Sequence, residues 1–179
     1  MTTTTLKNYT EDFSLEQHRK SFFADNESSI ISDYKKASIQ ERSEIRILLG
    51  DAFDITKIVK TFEDACDILY IKKKDLKEFI PFKNPKNDFQ QSQNAFAKLQ
   101  IIIKSINEGW KPNWDNREEY KYYPYFNMAG GFAFVGTASN YDYTDSDVGS
   151  QLCFKTKNDA EFAGKQFEYL YKIFMTYQN

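Results

Sequence analysis

Apolar residues recur at helical spacing through "DFQQSQNAFAKLQIIIKSINEG". Phe89, Phe96, Leu99, Ile103 and Ile106 would share one face. This pattern predicts the longest helix of the chain, with Asp88 as N-cap and Gly109 as its stop. A second stripe of Ala160, Ala163, Phe167, Leu170 and Phe174 predicts a closing helix, with Asn158 as cap and Glu161 three residues on. Upstream, Ser38 with Glu41 opens "SIQERSEIRILLG", whose apolar side is Ile45, Leu48 and Leu49 and whose stop is Gly50. Thr61 opens "TFEDACDIL", with Phe62, Ala65, Cys66 and Leu69 turned inward. A short helix is expected in "SLEQHRKSFFA", with Ser14 and Gln17 as a capping box, after a frayed start over residues 1–10.

Between the last two helical stripes the period changes to two. "EYKYYPYFNM", "GFAFVGT" and "SQLCFKT" predict three strands, with a tight turn at 129–131 and a polar loop over 137–149. The expected class is therefore α+β: a small three-stranded antiparallel sheet packed against long amphipathic helices. A helical N-terminal arm over 1–56 precedes the α+β domain at 57–179. Its expected core is Phe96, Leu99, Ile103, Phe132, Phe134, Leu152, Phe154, Phe167, Leu170 and Phe174.

Charge narrows the function classes. The 24 basic and 26 acidic residues nearly cancel. A protein that grips long duplex would show a basic excess, so only local patches remain for nucleic acid. The start, "MTTTTLKNYTEDF", has no basic region followed by an apolar run, so no signal peptide is expected. Apolar runs such as "LQIIIKSI" are too short to cross a membrane. Cys66 and Cys153 offer no disulfide framework, which fits a reducing cytoplasm. Both read as small buried hydrophobes.

Candidate chemistry is sparse. The single histidine, His18, lies in the N-terminal third, and no serine sits in a G-x-S-x-G elbow. One histidine and two distant cysteines make a poor zinc set. Asp142, Asp145 and Asp147 lack the spacing and distal glutamate of an EF-hand and read as a solvated turn. Residues 131–135, "GFAFV", match the middle of the RNA-recognition signature. Gly130 stands where that signature has a basic residue, Thr137 stands where it has an aromatic, and no helix is expected before the next strand. No catalytic residue, metal ligand or cofactor site is expected.

The aromatic stretch "GWKPNWDNREEYKYYPYF", residues 109–126, is the exception. Tyr123 and Tyr125 share one strand face and Tyr122 and Phe126 the other, with Pro124 suited to an edge. Trp110, just beyond the long helix, is expected to be buried against it; Trp114, among Asn113, Asp115 and Asn116, is expected to be exposed. Trp114, Tyr120, Tyr123 and Tyr125 are the candidate binding residues. Tyrosine and tryptophan are enriched at protein interfaces. The charges of the stretch balance, whereas a single-strand channel is basic as well as aromatic. A non-enzymatic protein that contacts a protein partner or its own copies is thus the first expectation. A single-stranded nucleic-acid binder using 109–126 is the alternative.

The blocks W-x-P-x-W, K-Y-x-P and A-x-x-x-G-K-Q-F, with "SQLCFKT" and "KTFEDACDIL", resemble an uncharacterised family of small proteins from phages and mobile elements of Bacteroidetes. The resemblance covers about residues 57–177 and leaves 1–56 unmatched. It implies a phage or mobile-element protein in the cytoplasm of a bacterial host, acting without a cofactor. It transfers no catalytic residue. Gln151 stands where the family pattern has a basic residue, which weakens a phosphate contact on that segment.

Overall fold

The computed structural model describes residues 16–140 and 149–177. The chain divides into two compact units, Met1–Ile58 and Val59–Asn179.

The first unit holds α1 (Glu16–Lys36) and α2 (Ile39–Leu49). At 21 residues α1 is the longest helix of the described residues, not the short one expected. Phe23, Ile30 and Tyr34 form a buried stripe that carries the helix through the polar run "DNESS". Asn26, inside that run, donates to the Phe22 carbonyl one turn back at 3.0 Å instead of breaking the helix. Ser14 lies outside the described residues. The Ser38–Glu41 capping box is present, and Gly50, at φ +50°, closes α2 by donating to the Arg46 carbonyl. Buried Arg42 donates to the Tyr34 and Lys35 carbonyls, both at 2.9 Å. It thereby satisfies the C-terminal end of α1, which no glycine cap closes.

The second unit opens with α3 (Phe62–Ile68), capped by Thr61 with Asp64. Then comes α4 (Asp88–Ile106), whose N-cap is Asn87, not Asp88. The Asn87 side chain accepts from the Gln90 N–H, and Asp88 takes the first helical position. The helix ends at Asn107, before Gly109, and Glu108 and Gly109 both take positive φ in the exit turn. The C-terminal stripe makes two helices, α5 (Lys157–Gln166) and α6 (Glu168–Met175), with Thr156 as cap in place of Asn158. Phe167 separates them. An i→i+3 bond from Leu170 to the Phe167 carbonyl, 2.9 Å, turns the axis there. As a result α5 lies over the sheet while α6 lies along α4. α4 packs on α6 and α3. The expectation that the long amphipathic helices together cover one face of the sheet is corrected accordingly.

The sheet has two strands, β1 (Lys121–Asn127) and β2 (Ala133–Asn140), paired antiparallel around the turn at Gly130 and Gly131. The expected third strand reduces to one bridge, Tyr122 to Phe154, with bonds of 3.1 and 2.7 Å. The reason lies in the next pair along that edge. Pro124 has no N–H to donate there. Leu152, which would face it, already donates to Gly149 at 3.3 Å. In the other direction Thr156 is committed to capping α5. The class remains α+β, with six α-helices and a two-stranded antiparallel sheet among the described residues.

The core of the second unit sits between α4, α5, α6 and the inner sheet face. Leu99, Ile103, Leu152, Phe154, Phe167 and Leu170 are buried as expected, whereas Phe96, Phe132, Phe134 and Phe174 are only half-buried. Phe126 is the hub, with ring centroids 4.7 Å from Phe132, 5.8 Å from Phe134 and 4.9 Å from Tyr171. The buried Tyr171 hydroxyl has no hydrogen-bond partner among the described residues, and burial pushes its pKa up. A desolvated, unpaired hydroxyl costs stability, so Tyr171→Phe should stabilise the fold by about 1 kcal/mol. Urea denaturation at constant m-value checks this; a loss of stability would show that the hydroxyl is satisfied in solution.

Candidate functional site

The tryptophan-containing loop is held by its own polar groups. The Asn113 side chain accepts from the Asp115 N–H and the Asn116 side chain from the Glu118 N–H, both at 3.0 Å. These side chains shape the turns. Glu119 accepts from the Asn113 N–H at 2.7 Å and pairs with Lys121 at 3.4 Å. Lys121 is buried, its ammonium 3.1 Å from the Asn116 carbonyl and 5.5 Å from the Trp114 ring. Trp114 is half-buried and donates its indole N–H to Ser150 at 2.7 Å. It is therefore a clamp between two loops as well as a surface residue.

Trp110 is also half-buried, a correction to its expected burial. The exit turn of α4, where the Trp110 N–H bonds the Asn107 carbonyl at 2.8 Å, leaves the ring on a groove. That groove encloses about 500 Å³ and is lined by Ile103, Trp110 and Pro112 with Lys104, Lys111 and Gln151. The Gln151 side chain is hydrogen-bonded to that of Gln100.

The remaining candidates divide by strand face. Tyr120 is 41% exposed and stacks on Tyr122, 5.8 Å between ring centroids. Strand alternation puts Tyr122 on the face of Pro124 and Phe126. Tyr123 and Tyr125 occupy the opposite face, which α5 does not cover. Tyr123 is half-buried, and Tyr125 is 58% exposed. Opposite them on β2 stand Ala138 and Gly136. Val135, 61% exposed, is the extra residue of a bulge between the Gly136 and Phe134 pairings. So Tyr123 and Tyr125 share one face of β1, with the Val135 bulge next to Gly136, the partner of Tyr125, and Tyr120 stacks on Tyr122 instead.

The signal for this surface in the sequence is its lack of charge. The twenty residues Tyr122–Tyr141 include no Asp, Glu, Lys, Arg or His, in a chain that is 28% charged. Period-two reading alone passes over such a run.

Groups suited to catalysis lie elsewhere. His18 is exposed on α1. Burial pushes the Cys66 and Cys153 thiols up to about 11, with Glu63 and Asp67 adding to the effect at Cys66. At neutral pH both are protonated, and so are weak nucleophiles and weak metal ligands. Among the described residues no group of three His, Cys, Asp or Glu side chains is placed to hold a metal ion. Asp142, Asp145 and Asp147 lie outside the described residues. No described helix is long and apolar enough to cross a membrane. No family model matches the chain, and neither the curated proteins nor the solved structures contain a match to it.

Proposed function

We propose that the chain is a non-enzymatic interaction protein whose binding surface is the hairpin face turned away from α5, around exposed Tyr125, with a protein as its partner. The observation that carries this reading is the exposure of Tyr125 and Val135, 58% and 61%, within a run of twenty residues free of charge. Protein interface cores are depleted in charge and enriched in tyrosine. Lys121, which alternation puts on the same face, is buried and paired with Glu119, so it is not offered to a polyanion. The family resemblance adds that the chain itself is a phage or mobile-element protein acting in the cytoplasm of a bacterial host.

Single-stranded nucleic acid is the second reading, and it rests on a different place. The groove beside Trp110 puts Lys104 and Lys111 near an indole ring, the mixture of stacking and cationic groups that single strands use.

A photo-crosslinking residue at Tyr125, and a second at Lys111, tests both in the producing cells. The expected result is a protein adduct from position 125 that survives nuclease and high salt. Adducts from position 111 alone, lost on nuclease treatment, would move the function to the groove.

A further inference from the structure

We infer that the groove beside Trp110 holds one nucleotide unit, with its base against the indole and a terminal phosphate between Lys104 and Lys111. The site is separate from the hairpin face. The inference rests on the nucleic-acid reading of the groove and names the unit it holds.

The wall and the rim of the groove differ in chemistry. Ile103, Trp110 and Pro112 make an apolar, partly aromatic wall. Lys104, on the last turn of α4, and Lys111, beyond the exit turn, are exposed and line the same groove. Neither ammonium is paired with a carboxylate among the described residues, and no Asp or Glu among them lines the groove. An indole beside two unpaired cations suits a ligand that is flat at one end and anionic at the other. Every nucleobase has a flat face, and stacking on an aromatic side chain tolerates any of them.

Hydrogen-bond capacity agrees with this. The Ser150 hydroxyl accepts from the Trp114 indole at 2.7 Å, which leaves its own O–H to donate. The Gln151 side-chain oxygen accepts from Gln100, which leaves the Gln151 NH2 to donate. Both residues line the groove. Base edges carry the acceptors that such donors match, whereas an acyl chain carries none. Gln151 has no charge to offer a phosphate. The base edge therefore belongs at Ser150 and Gln151, and the phosphate at the lysines.

Charge selects a terminal phosphate. A phosphate monoester carries nearly two negative charges at neutral pH, and an internal diester carries one. Two cations match the monoester. The C-terminal end of α4 opens at the groove and bears partial negative charge. This keeps the phosphate out at the flexible ammonium groups, away from the carbonyls of the exit turn. Size sets the number of units. About 500 Å³ lies within the usual range of small-ligand sites, about 300–1,000 Å³, and suits one nucleotide better than a strand running through.

Titration calorimetry on the full chain tests this, with adenosine 5′-monophosphate and adenosine as probes. The monophosphate should bind and change the tryptophan fluorescence. Adenosine should bind about tenfold more weakly or less, for want of the charged contacts. Lys104→Gln and Lys111→Gln change exposed side chains and should keep the melting temperature. Each should weaken binding of the monophosphate by about tenfold. A short single strand with a 5′-phosphate, set against the same strand without it, separates the two sources of the unit. Tighter binding of the phosphorylated strand than of the monophosphate assigns a strand end; the reverse assigns a free nucleotide. Strands that bind equally with and without the phosphate overturn the inference and keep the nucleic-acid reading of the groove. Binding that neither lysine variant weakens also overturns it. A chain that binds neither the monophosphate nor either strand loses both the inference and that reading.

Discussion

Phe167→Ala should lower the stability of the chain by about 3–5 kcal/mol. Phe167 is 1% exposed and sits at the junction where α5 hands over to α6. Its ring meets Phe162 edge to face, 6.2 Å between centroids. Its carbonyl accepts from both Leu170 and Tyr171, at 2.9 and 3.2 Å, so the backbone that holds the ring also sets the angle between the helices. Truncation removes a large apolar side chain from a packed site and leaves a cavity. The site can collapse only by shifting α5 against α6, and α5 is held by the sheet while α6 is held by α4. The cost should therefore fall toward the upper part of the range. Denaturant unfolding, followed by far-UV circular dichroism, gives the value. A loss below about 1 kcal/mol would show that the junction relaxes freely and that Phe167 is not a core residue.

Much of this arrangement is legible in the sequence because its causes are local. The Ser38–Glu41 and Thr61 caps and the Gly50 stop depend on residues within one turn, and each appears where the spacing places it. The buried members of the stripes, Leu99, Ile103, Ala160, Ala163 and Leu170, follow from helical period alone. What the sequence hides is non-local. The "SQLCFKT" segment alternates like a strand, yet Pro124, almost thirty residues away, removes the donor that would extend its pairing. The division of the C-terminal stripe at Phe167 has no glycine or proline to mark it. It arises because α5 and α6 pack on different elements. The aromatic stretch mixes three roles that share one composition: a clamp at Trp114, a groove wall at Trp110 and an open face at Tyr123 and Tyr125. Aromatic density cannot separate these. Absence of charge marks the last of them, because a covered face and a solvated face both tolerate charge at their margins, and this run has none.

The second large effect is expected at Gly164, where α5 meets the sheet. Gly164 is buried in the middle of a helix, a position where alanine would ordinarily gain about 1 kcal/mol in helix propensity. Here the gain is outweighed. A Cβ on Gly164 would lie inside the contact distance of the Phe134 ring and 2.8 Å from Cβ of Pro124. Pro124 cannot turn away, since its ring is part of the β1 backbone. Phe134 can rotate its ring only in part, because its backbone N–H is held by Glu168 at 3.1 Å and Lys165 lies over the ring at 5.8 Å. Overpacking of this kind costs up to about 3 kcal/mol. Gly164→Ala should thus be destabilised by roughly 2 kcal/mol after the helix gain is subtracted. The strain falls on both strands at once, since Pro124 belongs to β1 and Phe134 to β2. The hairpin should respond before the helices do. Hydrogen exchange at the amides of Tyr123 and Ala138 should quicken in Gly164→Ala more than exchange along α4. An unchanged or increased stability would show that α5 stands off the sheet and that the inner face of the hairpin is held by something other than this contact.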